Sequence, residues 1–335
     1  MAASHMQLTV PPGSRATLTV LVRELTGLSH RRARELISAA AVRVGESVET
    51  DPVARPTPGS VVSVSMRPRA AARESSSRPL TGPGFRSVYL DRDVIVVNKD
   101  SGVLTVPTER GDGESPPLVA RVAAALALAG HSTRNLWVVH RIDRETSGLV
   151  VFARHQAAFT RLQRQFRART ALREYLAWTE GIPPEPCGRL EHLLVEEERP
   201  PHPVRTARRG ESGKQAVLRY VVETQRRAPD PAAQLRVRLV TGRRNQIRVQ
   251  LAAAGCPLIG DRFYGARTRG PGRTALHASR LEFAHPRSAR AVAVEAPLPS
   301  ELIALHRELF GGEVPPTCDQ DAFVDSSSET SRTDR

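Results

Sequence analysis

The chain has 335 residues, enough for one large domain or two smaller ones, and its 40% hydrophobic content supports a buried core that 4% aromatics leave largely aliphatic. Lys and Arg number 49 against 35 Asp and Glu, a net charge of +14 that points to a polyanionic partner, nucleic acid before an anionic membrane surface. Cys187, Cys256 and Cys318 have neither paired nor metal-ligand spacing, no apolar run approaches the ~20 residues of a membrane span, and Met1–Met6 lack a signal-peptide core, so a cytoplasmic protein without a disulfide framework is expected.

Residues 1–14 are read as a tag or disordered. From 15 to 66 the pattern is that of a small α/β unit. Leu18, Val22 and Leu25 recur at helical spacing, and Ser29 is a plausible N-cap for a second helix. Val42–Val44 reads as a strand, and Pro58-Gly59-Ser60 turns the chain into Val61–Val64. Arg31, Arg32, Arg34 and Arg43 lie close together and suit an RNA backbone; a solvated basic face is the plainer alternative. Arg dominates Lys throughout, since Lys99 and Lys214 are the only lysines, and codon bias accounts for much of that preference but not for the net charge. Residues 67–84, rich in Arg, Ala, Ser, Pro and Gly without periodicity, read as a flexible linker.

A second domain is expected over 85–310. It opens with a hairpin, Val88–Leu90 and Val94–Val97 about Asp91-Arg92-Asp93. An alanine-rich helix follows, with Ser115 as cap, Pro in its first turn and Gly130 at its end. Leu136–Val139 then leads into His140-Arg141-Ile142-Asp143-Arg144-Glu145-Thr146-Ser147-Gly148, a polar loop before the strand-like Leu149–Ala153. Taken alone, such an Asp starts a turn in which Thr146 and Ser147 cap neighbouring amides. A basic amphipathic helix runs from His155 to Ala168, followed by strands at Arg173–Trp178, Lys214–Tyr220 and Leu235–Leu239. The Pro-rich stretch Arg199–Pro203 is expected to form a loop or irregular hairpin. Ile247, Leu251 and Ala254 share a helical stripe, Glu301–Phe310 forms a last helix, and 311–335 reads as a disordered polar tail.

His-Arg-Ile-Asp-x-x-Thr-Ser-Gly resembles the signature of the RluA-type pseudouridine synthases. The family's other runs are also present: Arg173-x-Tyr175 for Lys-x-Tyr, Thr241-Gly242-Arg243-x-Asn245-Gln246-Ile247-Arg248, Gly260-Asp261-x-x-Tyr264-Gly265, Leu276-His277-Ala278 and His285-Pro286. The departures are Asp100 for Pro, Arg173 for Lys, and Asn245 and Gln250 for two histidines. The N-terminal unit resembles the alpha-L RNA-binding motif.

The resemblance implies an α+β fold: a mixed, largely antiparallel sheet with flanking helices and a central RNA cleft. It also implies isomerisation of uridine in structured RNA, rRNA first and tRNA second, by a cofactor-free and metal-free monomer. By the same resemblance Asp143, Tyr175 and Arg248 are the catalytic residues, with Arg248 keeping Asp143 ionised. Arg141 fills the place of the flipped base, and Ile247, His140, Thr146 and Arg243 are further substrate-binding residues. A catalytically silent RNA-binding or ribosome-assembly protein is the second reading; a hydrolase using Asp143 and a histidine is the third.

Overall fold

A computed structural model describes residues 5–38, 42–45, 47–49, 51–65, 79–107, 115–131, 136–197, 204–314 and 323. The chain forms two compact units, Met1–Glu74 with Arg287–Ala293 and Ser75–Pro286 with Val294–Arg335.

The small unit runs β1 (His5–Thr9), α1 (Leu18–Thr26), α2 (His30–Ser38), β2 (Val42–Val44), β3 (Ser47–Val48) and β4 (Val61–Ser65), with sheet order β1-β4-β2-β3. Of residues 1–14, read as a tag or disordered, 1–4 lie outside the described residues, and 5–14 depart from that expectation. His5–Thr9 pairs antiparallel with β4, Leu8 opposite Val62, because Leu8 and Val10 continue the apolar set that α1 and α2 cover. Leu18, Leu21, Val22, Ala33 and Ile37 are the helical side of that core. Ser29 caps α2 as its position predicts, its Oγ accepting from the Arg32 N–H at 3.3 Å.

The large unit comprises β5 (Thr81–Gly82), β6 (Phe85–Leu90), β7 (Val94–Lys99), α3 (Leu118–Leu128), β8 (Trp137–Val138), β9 (Ser147–Ala153), α4 (Gln156–Arg167), β10 (Leu172–Glu180), β11 (Cys187–Glu196), β12 (Val204–Thr206), β13 (Lys214–Arg226), β14 (Ala232–Leu239), α5 (Gln246–Ala253), β15 (Leu276–Ala284), the end of β16 (Ala291–Glu295) and α6 (Ser300–Phe310). The sheet runs β12-β11-β13-β14-β10-β15-β9-β7-β6-β5, with β8 beside β9 off this path. Two antiparallel blocks meet where β9 and β15 pair in parallel, Ser147 opposite His277 and Gly148 opposite Ala278. Every residue of β9 is buried, which explains its unbroken apolar run.

Both faces of the sheet are covered. On one, Ile95, Val97, Val150, Phe152, Tyr175 and Val237 alternate inward against Leu118 and Val122 of α3 and Ile247 and Leu251 of α5. On the other, Leu176 and Trp178 of β10 meet Leu302 and Leu305 of α6.

Three boundaries differ from expectation. Of the stretch read as linker, 67–78 lies outside the described residues, but Thr81–Gly82 pairs with Phe85–Arg86 because Gly84, at φ +77°, closes a tight turn. Helix α3 starts at Leu118 with extended Pro117 at its N-cap and no side-chain cap, so Ser115 lies too far upstream to serve. Most of 311–335, like Arg199–Pro203, lies outside the described residues. The tail nevertheless contains a seated residue: Phe323 is buried, its carbonyl accepts from Arg219 Nη1 at 2.9 Å, and the Arg238 guanidinium lies 4.2 Å from its ring centroid.

Candidate active site

The polar loop 139–146 joins β8 to β9 and is pinned through its carbonyls. Thr105 Oγ1 donates to the Ile142 carbonyl (2.8 Å), Ser101 Oγ to that of Glu145 (2.7 Å), and the Gly102 N–H to that of Arg144 (2.8 Å). Lys99 is fully buried at the end of β7, and its ammonium donates to the carbonyls of Val103 (2.8 Å), Asp100 (2.9 Å) and Arg144 (3.0 Å). Burial lowers the Lys99 pKa to about 7. At the far end of the loop Arg273 donates to the Glu145 carbonyl (3.1 Å) and to Ser147 Oγ (2.9 Å), and Ser147 Oγ lies 2.8 Å from His277 Nδ1. The turn itself closes by the Thr146 N–H on the Asp143 carbonyl, 3.1 Å. The Asp143 side chain is therefore not consumed in capping and projects from a rigid frame.

Around that carboxylate two side chains converge, each held by further partners. Arg248 Nη1 lies 3.9 Å from Asp143 Oδ2. The Arg248 guanidinium is itself held by a bidentate pair to buried Asp261, Nε to Oδ2 at 2.7 Å and Nη2 to Oδ1 at 2.9 Å, and lies 4.9 Å from the Tyr264 ring centroid. Asn245, in the left-handed conformation (φ 52°) at the head of α5, sets one end of its amide 3.2 Å from both Asp143 oxygens and the other 3.0 Å from Tyr264 Oη; because a carboxylate only accepts, the amide orientation that suits it places Nδ2 on Asp143 and Oδ1 on Tyr264 Oη. Tyr264 Oη also lies 3.1 Å from the Val204 carbonyl, and its single proton serves one of the two acceptors. Asn tolerates this backbone at low cost, which suits the residue found where the family has His.

Burial pushes the Asp143 carboxyl above its usual range, and Arg248, followed by Arg141, Lys99 and Arg244, opposes that shift. The expectation that Arg248 keeps Asp143 ionised is corrected in degree: its close partner is Asp261, and desolvation is the larger effect on Asp143. Tyr175 is buried, and burial raises its phenol to about 12, with Arg173 opposing. It rests protonated at neutral pH.

The remaining predicted residues divide. Arg141 is exposed beside Asp143 and free to reach outward, and Arg243 is exposed with Nε donating to the Gln215 carbonyl at 3.0 Å. Ile247 is buried in the same core cluster as Tyr175. Thr146 is buried beneath the loop, where it supports the turn. His140 also faces inward: Nε2 accepts from the Val151 N–H (3.1 Å), its ring stacks on Phe166 (4.9 Å), and burial lowers its pKa to about 3. Its geometry is that of a loop anchor. In the small unit Arg32 and Arg34 are exposed and Arg43 is partly so, while the side chain of Arg31 lies outside the described residues.

Gln250, the other replaced histidine, is fully buried, and its Nε2 reaches the carbonyls of Leu190 and Ala216 at 3.1 Å, so it serves packing. Asp100 donates its N–H to the Gly84 carbonyl (2.9 Å), a bond the family's Pro could not make. Sequence reasoning missed the roles of Asp261 and Lys99; the Gly-Asp-x-x-Tyr-Gly run contained Asp261, but nothing in it pointed to Arg248.

Among the described residues one group has metal-ligand chemistry, Asp91, Asp93 and His285, with ligand atoms within 4.8 Å. Its atoms already have protein partners: His285 Nε2 lies 2.7 Å from Asp91, Tyr89 Oη donates to Asp91 at 2.7 Å, and His155 Nε2 lies 2.8 Å from Asp93. Because His155 Nδ1 accepts from the Ala158 N–H, Nε2 carries the proton and donates. The group clasps the β6–β7 turn to α4 and the end of β15.

Residues 93–253 match the family model described as RNA pseudouridylate synthase. An uncharacterised RNA pseudouridine synthase of Bacillus subtilis is 32% identical over 67% of this chain and 72% of its own length. The chain belongs to the RNA pseudouridine synthase family. The dual-specificity RNA pseudouridine synthase RluA of Escherichia coli is 35% identical to this synthase over 65% of the chain and 95% of its own length. The ribosomal large subunit pseudouridine synthase D of Vibrio cholerae is 31% identical over 84% and 86%. Among solved structures, human RNA pseudouridylate synthase domain containing 1 superposes with a TM-score of 0.56 at 26% identity, covering 73% of this chain and 95% of that one. The fold expectation holds: a large, mostly antiparallel sheet, flanking helices and a small N-terminal unit. The enzyme is an RNA-directed isomerase, and no described helix is long and apolar enough to cross a membrane.

Proposed function

We propose that this synthase converts uridines of large-subunit ribosomal RNA to pseudouridine, with Asp143 as the group that engages the flipped nucleotide. The observation that carries the assignment is the Asp143 carboxylate on a pinned loop, 3.9 Å from Arg248 and bonded by the Asn245 amide. The reaction breaks the N1–C1′ bond, joins C5 to C1′, and exchanges a proton lost from C5 for one gained at N1, so no redox partner is required. An ionised, positioned carboxylate is a competent nucleophile for it. Asn245 and Arg248 favour that form, and Asp261 fixes the guanidinium so that its orientation need not be found during the reaction.

Arg141, exposed next to the carboxylate, takes the position of the extruded base, where a planar guanidinium stacks well. Tyr175, with Ile247 beside it in the core cluster, packs against the uracil; with a pKa near 12 its phenol acts as a donor or stacking surface before it acts as a base. The ribosomal target is supported by the name of the Vibrio relative and by the net charge of +14. The small unit, with Arg32, Arg34 and Arg43, is a tethered RNA grip that raises the effective concentration of substrate at the large one. The enzyme acts in the cytoplasm as a monomer.

The test is pseudouridine mapping on an unmodified large-subunit rRNA transcript with wild type and Asp143→Asn. Site-specific conversion by wild type alone is expected, with RNA binding retained in the variant. Conversion by both, or by neither, removes the assignment.

A further inference from the structure

Arg173 is buried to 9% exposure on β10, two residues before Tyr175 and on the same face of the strand. Among the described residues no carboxylate pairs with it and no acceptor takes its hydrogens; its Nε is buried without a partner. Its polar neighbours, Tyr175 and His140, carry no formal negative charge to balance it. Its guanidinium lies 5.6 Å from the Phe166 ring centroid, and Nη1 rests against Gly242, where an added Cβ would come within 2.5 Å. Gly242 is exposed, so what separates this edge of the guanidinium from solvent is a residue with no side chain. Glu174, the nearest acid in sequence, points to the opposite face and is engaged by Arg238 at 2.8 Å.

A buried charge without a counter-ion is costly, and folded chains keep one where an outside partner completes it. We propose that Arg173 is the receptor for a phosphodiester of the RNA beside the flipped uridine. The proposal rests on the synthase reading above, because it takes the polyanion from that substrate. Arg173 and Tyr175 project from the same face of β10, so an anion held by Arg173 lies on the side of the strand that Tyr175 presents to the nucleotide. A guanidinium is well matched to such a ligand, since its planar fork meets two phosphate oxygens and Phe166 fixes its plane. The family's Lys at this position retains the charge with a single-point contact.

The test is salt dependence of binding, with the full chain and a large-subunit rRNA transcript as probe. Each phosphate neutralised contributes about 0.7–0.9 to the slope of log K against log salt. Arg173→Gln should lower the magnitude of the slope by that one increment, and Arg173→Lys should keep the wild-type slope. Melting curves without RNA confirm that both variants are folded. A wild-type slope in Arg173→Gln overturns the proposal, as does an equal loss in Arg173→Lys; weaker binding at unchanged slope would mean a neutral group on the base. Since the readout is binding, absence of pseudouridine would count against the activity alone.

Discussion

Gly148 closes the sequence motif, and the structure gives its reason. It has φ +112°, and a Cβ built there would lie 2.2 Å from the Ala278 carbonyl oxygen and 2.6 Å from its nitrogen. These are backbone atoms of the paired strand, so no rotamer change relieves the contact. Gly148→Ala therefore incurs two costs. A non-glycine residue in this sparsely populated region costs about 1–3 kcal/mol, and overpacking against rigid neighbours costs about 1–3 kcal/mol more. The total of about 2–6 kcal/mol corresponds to a melting point lowered by at least about 4 °C for a unit of this size. Gly210→Ala is the control: it also has positive φ (+82°), but nothing lies within 4 Å of its Cβ, so it carries strain alone. To restore contact distance, β9 must move about 1 Å from β15, a displacement of the scale that lowers turnover by roughly 100-fold when it reaches reacting groups. Thermal melts and single-turnover pseudouridine assays on both variants provide the test. Equal melting points for the two would refute the reasoning, since they would show that the strands separate at no cost.

Removing the amide at Asn245 tests its hold on Asp143. A carboxylate ionises as pH rises, and losing two donors to the ionised form raises its pKa, so the acid limb of the pH–rate profile should move to higher pH in Asn245→Ala; an unmoved limb contradicts the bond. Lys99 has a folded pKa near 7 against 10.5 for the free side chain, so between those values the unfolded chain binds more protons and stability rises with pH. Subtracting the melting profile of Lys99→Met from that of wild type should leave this rise, and a flat difference from pH 7 to 9 rejects it. Phe323→Ala should destabilise the large unit by about 1–3 kcal/mol through lost burial and lost contact with Arg236 and Arg238; denaturant unfolding with an unchanged midpoint would exclude a structural role for the tail.

Much of the fold was legible because alternation and spacing are local. The run Leu149–Ala153 reads as a buried strand from its own residues, and Ser29 as a cap from its place before α2. Asp143, Tyr175 and Arg248 stand out in the sequence only through motif order, and of these the structure brings Arg248 to 3.9 Å from Asp143. What surrounds them was not, because it depends on which distant backbones meet. Nothing near Lys99 announces that three carbonyls will converge on its ammonium, and nothing near Asp261 announces that it will hold Arg248. His140 and Thr146 show the converse, since a motif residue can belong to the loop's support and not to its open side. Phe323 was hidden in a polar tail because a single aromatic has no periodicity to reveal that it is seated.

The parallel joint of β9 and β15 has a consequence for how the enzyme is made. Ser147 and its partner His277 are 130 residues apart in the chain. At about 5–20 residues per second of synthesis, roughly 7–26 s pass between the appearance of one and the other. Until β15 emerges, the loop bearing Asp143 lacks Arg273 and His277, and the two antiparallel blocks have no seam to close. A nascent chain therefore displays its N-terminal unit well before the Asp143 loop is held at both ends, and a truncation before residue 273 would leave that loop without Arg273 and His277.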